Sequence, residues 1–507
     1  MNHRSIFAHD LLRRLESTHP PGAQLSNGDL PRYHFHDASD QELLLTRSHP
    51  QSFQLGTGAS IFTDCLIPAI TSATSEVLFV TCFWAPSKTL TALHDALTRL
   101  AAHRRTLIRN ALERGHTALP PLRVRICFSS RSLLQKLLHP QSGNGYVYPP
   151  ASWPKQLGLP DATVLDAGGI QLQVKSLFFL PFSVMHPKFV IIDRKRAFVL
   201  SCNVSWEPWL EGCVEFTGDA VSSLLSFYCR TWGDAPSFEQ SQEPEAHGRW
   251  AFNAREAGLT SIQSTCHSRT TALAKLGTLP TFVLPSSHHR NPRFRPFPWQ
   301  KTPPPPPTPL NVGTLQLFEQ ARRSIYIQTP NLACEAVIAA LLEALGRGVD
   351  VTLVTNRNMM LLEQLVTAGT TTAWRIEWLV RRFHRLKSAS VPAHRDLEAG
   401  HPSVGHLRIL YFRARCQNGS GGRERRPLMA AAAAAAQGEE PVHSHLKLTM
   451  VDEEYALLGS GNMDRASWMT SQELGILFHD RQFCAGVKTE IDQVLDGRLD
   501  LLFDSDG

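Results

Sequence analysis

The sequence predicts an α/β protein of two similar halves, each a mixed sheet flanked by helices, packed about a pseudo-twofold axis. Three observations predict it. A cluster of chemistry-bearing residues occurs twice at a fixed offset. The same alternation of apolar strands and helices precedes each copy. Between the halves the composition turns to Ser, His and Pro, and ends in five consecutive prolines, Pro303 to Pro307.

The doubled cluster carries most of the information. One copy reads His186-Pro-Lys188-Phe-Val-Ile-Ile-Asp193, followed by Ser201-Cys-Asn203. The other reads His445-Leu-Lys447-Leu-Thr-Met-Val-Asp452, followed by Ser460-Gly-Asn462. Each matched residue is offset by 259 positions. A glutamate follows each copy at nearly the same distance, Glu215 and Glu473. A single H-x-K-x4-D match in a long chain is often chance, but two with the same downstream S-x-N are a repeat.

In chain order, residues 1–55 form an N-terminal extension. Ile6, Phe7, Leu11, Leu12 and Leu15 beside Arg13 and Arg14 read as a short amphipathic helix. The arginines also suggest a mitochondrial transit peptide, against which Asp10 and Glu16 count. The first domain spans 56–235: the end of a helix running into a buried strand at 73–80, a helix at 89–114, strands at 122–128 and 170–180, then the motif strand. Residues 236–310 are expected to be a Pro-rich linker or insertion, its prolines extended because they fit neither helix nor sheet core. The second domain spans 311–507 and repeats the series: the end of a helix running into a buried strand at 321–328, a helix at 335–347, strands at 349–354 and 406–413, and the motif strand. A low-complexity loop at 417–440, with seven alanines from Ala430 and no apolar face to pack, interrupts it just before the motif.

Bulk composition narrows the class. At 507 residues the chain exceeds one ordinary core. Apolar residues make up 42% and charged residues 19%, which excludes a wholly disordered chain. A net charge of +6 suits an anionic substrate without demanding nucleic acid. Ten cysteines without a C-x-x-C pair indicate neither zinc nor a disulfide framework, and favour reduced thiols inside a cell. No apolar run approaches the roughly 20 residues needed to span a bilayer. The expected location is the cytoplasm or a membrane surface.

The motif residue types suit phosphodiester exchange. That reaction needs a nucleophile, an acid for the leaving oxygen, and cations and donors for the phosphoryl charge. His186 and His445 supply the first two. Lys188 and Lys447 supply charge, and Asn203, Asn462, Ser201 and Ser460 supply donors. Nothing here calls for a metal or cofactor. In a strand, residues two apart share a face, so each lysine joins its histidine. Asp193 and Asp452 lie at odd spacing from the histidines and are expected to be structural members of the motif. Glu215 and Glu473 are the expected carboxylate partners of the imidazoles, fixing their tautomers.

This pattern resembles the phospholipase D superfamily, whose members carry two such HKD motifs and cut or transfer phosphodiesters. The second half is most similar to bacterial-type cardiolipin synthases and related phosphatidyltransferases, in Ile325-Tyr-Ile-Gln-Thr-Pro330, Gly346-Arg-Gly-Val-Asp-Val351 and Gly459-Ser-Gly-Asn-Met-Asp464. Two departures stand out. Leu200 replaces the glycine usual before S-x-N, and Arg465 comes one place early. The resemblance implies a phospholipid substrate, water or an alcohol as acceptor, a phosphohistidine intermediate on His186, and His445 as the acid. A nuclease of the same family and a catalytically inactive binding paralogue are the alternatives. Trp374, Trp378, Arg381, Arg382, Arg385 and Lys387 fall on one helix, a candidate for peripheral membrane contact.

Overall fold

The structure is a computed structural model and describes residues 6–18, 38–117, 119–139, 145–179, 183–233, 268–287, 303–389, 404–415 and 440–506. Residues 417–439 of the expected loop, like most of the linker, lie outside the described residues.

Each half builds the same run of strands from the same kinds of residues. In the first, Glu76–Phe83 is central, and residues 76–82 are buried. Such a run is apolar on both faces because helices cover both. It pairs in parallel with Leu122–Ser130, which pairs in parallel with Ile170–Ser176. On its other side the motif strand Phe189–Ile192 runs antiparallel, followed by Arg196–Leu200, Trp209–Thr217 and Leu45–Thr57. The second half repeats this order. Ser324–Gln328 is central, with Asp350–Asn356 and Leu407–Phe412 parallel on one side. On the other side lie Leu448–Val451, Tyr455–Gly459, Glu473–His479 and Leu279–Ser286, all antiparallel.

Helices cover the faces. Lys88–Glu113 starts at Ser87, whose side chain accepts from Leu90 N at 3.2 Å, and buries Leu90, Leu93, Leu97 and Leu100 at helical spacing. Glu335–Gly346 buries Val337, Ile338, Leu341 and Leu345. Both agree with the sequence expectation to within a residue or so.

The domain boundaries need correcting. Leu279–Ser286 falls in the expected linker, yet it is the outer strand of the second sheet, equivalent to Leu45–Thr57 in the first. These two strands also pair with each other, Leu45–Ser48 against Leu279–Phe282, and join the sheets edge to edge. The repeat therefore begins at these strands rather than at 56 and 311. Both were hidden by weak patterning: His49, Pro50 and Gln51 interrupt one, and Pro280 and Pro285 punctuate the other. Prolines are tolerated in a strand only where no ladder donor is required. The N-terminal helix Ile6–Thr18 is likewise no loose extension. Its Phe7 ring packs against Phe282 and Tyr455, at 5.4 and 5.3 Å between centroids.

The halves meet reciprocally. His186 N donates to Gln472 O at 3.0 Å, and His445 N donates to Leu210 O at 2.8 Å. Phe216 and Phe478, the matching positions of the two facing strands, pack ring to ring at 6.1 Å. One apolar core runs through both halves.

Candidate active site

Both motifs sit where the chain enters the motif strand, at the end of the sheet where the parallel strands finish. Each lysine folds back on its own histidine: Lys188 Nζ donates to His186 O at 2.9 Å, and Lys447 Nζ to His445 O at 2.7 Å. Both lysines are buried. A buried ammonium is costly without compensating charge.

The compensation comes from the opposite half. His186 Nδ1 lies 2.9 Å from Glu473 Oε2, and His445 Nδ1 lies 2.8 Å from Glu211 Oε1. Each glutamate also accepts from the serine of its own half's S-x-N, Ser460 to Glu473 and Ser201 to Glu211. Those serine oxygens accept in turn from Leu474 N at 3.0 Å and Gly212 N at 2.9 Å. Neither half holds its own imidazole, so the site is composite. With Nδ1 occupied by a carboxylate, Nε2 of each ring is left for chemistry.

Glu473 is where the sequence places it, but it serves the histidine of the other half. Glu215 is not an imidazole partner. It accepts from Arg196 Nε at 2.9 Å and from Ser52 Oγ at 3.1 Å. The residue that sequence reasoning missed is Glu211. Register explains the error. Leu200 faces Cys213 across one pair of strands, and Gly459 faces Gly475 across the other, so Glu211 corresponds to Glu473. Counting from the motif misleads because the second half inserts the short helix Arg465–Met469 between its S-x-N and its glutamate. A signal was available: Glu211-Gly-Cys-Val-Glu-Phe216 and Glu473-Leu-Gly-Ile-Leu-Phe478 align by their apolar alternation.

Neither aspartate touches an imidazole. Asp193 accepts from the backbone N–H groups of Thr74, Ser75 and Glu76, the closest contact to each between 2.8 and 2.9 Å, and from the hydroxyls of Thr74 and Ser75. Asp452 does the same for Arg322, Arg323 and Ser324 at 2.8–3.0 Å. Each ties the hairpin turn after its motif strand to the start of the central strand. Asp193 and Asp452 have φ near 51° and 55°, a left-handed conformation that Asp adopts more readily than most residues.

The asparagines are held differently. Asn203 Oδ1 accepts from Phe83 N at 3.1 Å, which leaves its amide protons to donate elsewhere. Asn462 Nδ2 donates to Asp464 Oδ2 at 3.0 Å, and its Oδ1 is buried without a protein partner. A cavity of about 30 Å³ lies between Lys447 and Asn462. Leu200, at the usual glycine position, is buried in the core of the first half. Gly459 has no such room, since a Cβ there would lie 2.1 Å from Leu474 O.

Burial dominates the electrostatics. It pushes the His445 imidazole down to about 4, with Glu211 opposing. Burial lowers His186 as well, against Glu473. The Lys447 ammonium is brought down to about 7, again by burial, with Glu211 opposing and Lys188 adding to the fall. Burial alone would raise both carboxylates, but the facing imidazoles hold Glu211 and Glu473 below the usual range. Burial thus favours the neutral form of both imidazoles, while the facing glutamates stay ionised. Among the described residues no cluster of His, Cys, Asp and Glu has the makings of a metal site, and no helix is long and apolar enough to cross a membrane.

Residues 314–495 match the family model described as cardiolipin synthase, phospholipase D-like domain. No curated protein matches. Among solved structures, the chain is similar to phosphatidylserine synthase of Haemophilus influenzae Rd KW20, at 17% identity and a TM-score of 0.47, covering 90% of this chain and 89% of that one. It is also similar to NucT from Helicobacter pylori, at 14% identity and a TM-score of 0.23 over 38% of this chain and 89% of that one. Polyphosphate kinase from Porphyromonas gingivalis matches at 12% identity and a TM-score of 0.38, over 88% of this chain and 50% of that one. The second half therefore carries a phospholipase D-like domain, and the first half repeats its strand order and its H-x-K-x4-D motif.

Proposed function

We propose that the protein is a phosphatidyltransferase or phospholipase D that exchanges the alcohol of a phospholipid through a phosphohistidine. The observation that carries this reading is the reciprocal His–Glu pairing, which leaves two imidazole Nε2 atoms and two buried lysines serving one composite site. The lipid half of the reading rests on the cardiolipin synthase description of the matched family model.

In the first step His186 Nε2 attacks phosphorus. The P–N bond forms as the bond to the leaving alcohol breaks, and His445 passes a proton to the departing oxygen. Lys188, Lys447 and the Asn203 amide balance the charge on the phosphoryl oxygens. In the second step His445, now neutral, takes a proton from water or an acceptor alcohol as that oxygen attacks phosphorus. The P–N bond breaks and His186 is restored. Glu473 and Glu211 hold both rings in the tautomer that exposes Nε2. His445 takes up its proton from solvent as the substrate binds, because the negative charge of the diester favours an imidazolium beside it.

The test is incubation with a panel of phospholipids labelled on phosphorus, and separately with labelled single-stranded DNA, each with and without glycerol. Release of the lipid head group, with label moving to a glycerol adduct when glycerol is present, is expected. Cleavage of DNA with no lipid turnover would replace this reading with a nuclease. Failure on both substrates would point to the non-catalytic paralogue.

A further inference from the structure

The helix Leu361–Ala368 is inside out. Its polar Gln364 is buried and held on several sides: Nε2 donates to Asn331 Oδ1 at 2.9 Å and to Met359 O at 2.6 Å, while Oε1 accepts from Thr372 N at 2.6 Å. Its apolar side faces solvent. Leu361, Leu362, Leu365 and Val366 are exposed, Leu362 at 77%, and Trp374 just beyond is 59% exposed. These five make up five of the thirteen large exposed apolar side chains among the described residues. A surface helix ordinarily buries its apolar side, and an exposed apolar patch this concentrated marks an interaction surface. The turn into the helix passes through Asn358 and Met360 at φ of 57° and 52°, a left-handed path that the Gln364 contacts hold in place.

The patch borders the active site. Asn356, just before it, brackets Ser444, the neighbour of His445: Nδ2 donates to Ser444 O at 2.7 Å and Ser444 N donates to Oδ1 at 2.8 Å. Asn331, gripped by Gln364, precedes Leu332, which bridges to Met463 beside Asn462. The surrounding charge is cationic: from 357 to 387 there are six Lys and Arg against two Glu. On the helix Thr372–Ala389, Trp374 shares a face with Trp378, Arg382 and Arg385 by helical spacing, and the Arg382 guanidinium stacks on Trp378 at 5.0 Å.

We propose that Leu361–Ala368 and Trp374 dock the protein on a bilayer of anionic phospholipid. The leucines enter the acyl boundary, the tryptophans sit at head-group depth, and the arginines meet anionic head groups. The composite site is thereby presented to the membrane surface. This deepens the phospholipid reading and rests on it for its functional meaning.

The experiment sediments the full chain with vesicles of phosphatidylcholine alone, or of phosphatidylcholine mixed with phosphatidylglycerol, and measures hydrolysis of the soluble diester bis(p-nitrophenyl) phosphate in parallel. The wild type is expected to sediment with the mixed vesicles and much less with phosphatidylcholine alone. Leu362→Glu lowers the bound fraction about tenfold, the scale of one charge placed in an apolar interface. Leu362→Trp retains binding. Leu112→Glu, at an exposed leucine on another helix, leaves it unchanged. All variants keep the soluble activity. Absence of wild-type binding, or equal binding by Leu362→Glu, overturns the proposal. So does a dimer that Leu362→Glu disperses without any vesicle binding, which would assign the face to a second copy. If the soluble diester is not cleaved by any variant, the catalytic reading fails while the sedimentation result still decides the docking surface.

Discussion

Glu211 and Glu215 lie four residues apart on one strand and have different tasks. Glu211 is buried against His445, while Glu215 pairs with Arg196. Glu211→Gln leaves an amide where the imidazole needs a carboxylate, and turnover is expected to fall roughly 10²–10⁴-fold. Glu215→Gln leaves turnover nearly unchanged. Steady-state kinetics on the two purified variants separates the assignments, and equal losses would return Glu215 to the site. The protonation state is testable too. His445 is lowered to about 4 and Lys447 to about 7, so at pH 7–8 the free site is short of protons. A bound phosphate anion raises both, so binding takes up protons at that pH, and affinity falls as pH rises. Calorimetry of inorganic phosphate binding in buffers of different ionisation enthalpy is expected to give a net proton uptake. No uptake would mean that the acid is already charged in the free enzyme.

At the scale of elements, the hairpin around each motif sets the site. Asp193 gathers three backbone N–H groups and two hydroxyls from 74–76. Asp193→Ala strands those donors and places alanine at a left-handed φ, so a loss of about 1–3 kcal/mol is expected in urea unfolding. Turnover per folded molecule should persist. A folded but inactive Asp193→Ala protein would make the aspartate catalytic. Gly459→Ala acts differently, because its Cβ would lie 2.1 Å from Leu474 O and 2.9 Å from Gly475 Cα. The strand pair must part, which costs about 1–3 kcal/mol. It also draws Ser460 from Glu473, so stability and turnover should fall together. The motif strands and main helices were legible in the sequence because apolar periodicity and capping agree there, as at Ser87 before Lys88–Glu113. Leu279–Ser286 was not legible, because its prolines and its place in a low-complexity stretch outweigh a short apolar run. Glu211 was missed because spacing along the chain was read where cross-strand register decides.

For the whole molecule, the repeat is what makes a site. His186, Lys188 and Ser201 come from one half and His445, Lys447 and Ser460 from the other, and each imidazole borrows its carboxylate across the interface. The sequence revealed the doubling and the chemistry, but not the exchange of partners, since no pattern within one half records which strand of the other half lies against it. The exchange has a consequence. Glu473, 287 residues from His186, should govern the chemistry at His186. The most direct test is rapid acid quench of turnover on a phospholipid labelled on phosphorus, followed by peptide mapping of wild type and Glu473→Gln. The composite site predicts label on the peptide containing His186, strongly reduced in Glu473→Gln, and none in His186→Ala. Full turnover by His186→Ala, or undiminished label in Glu473→Gln, would contradict it.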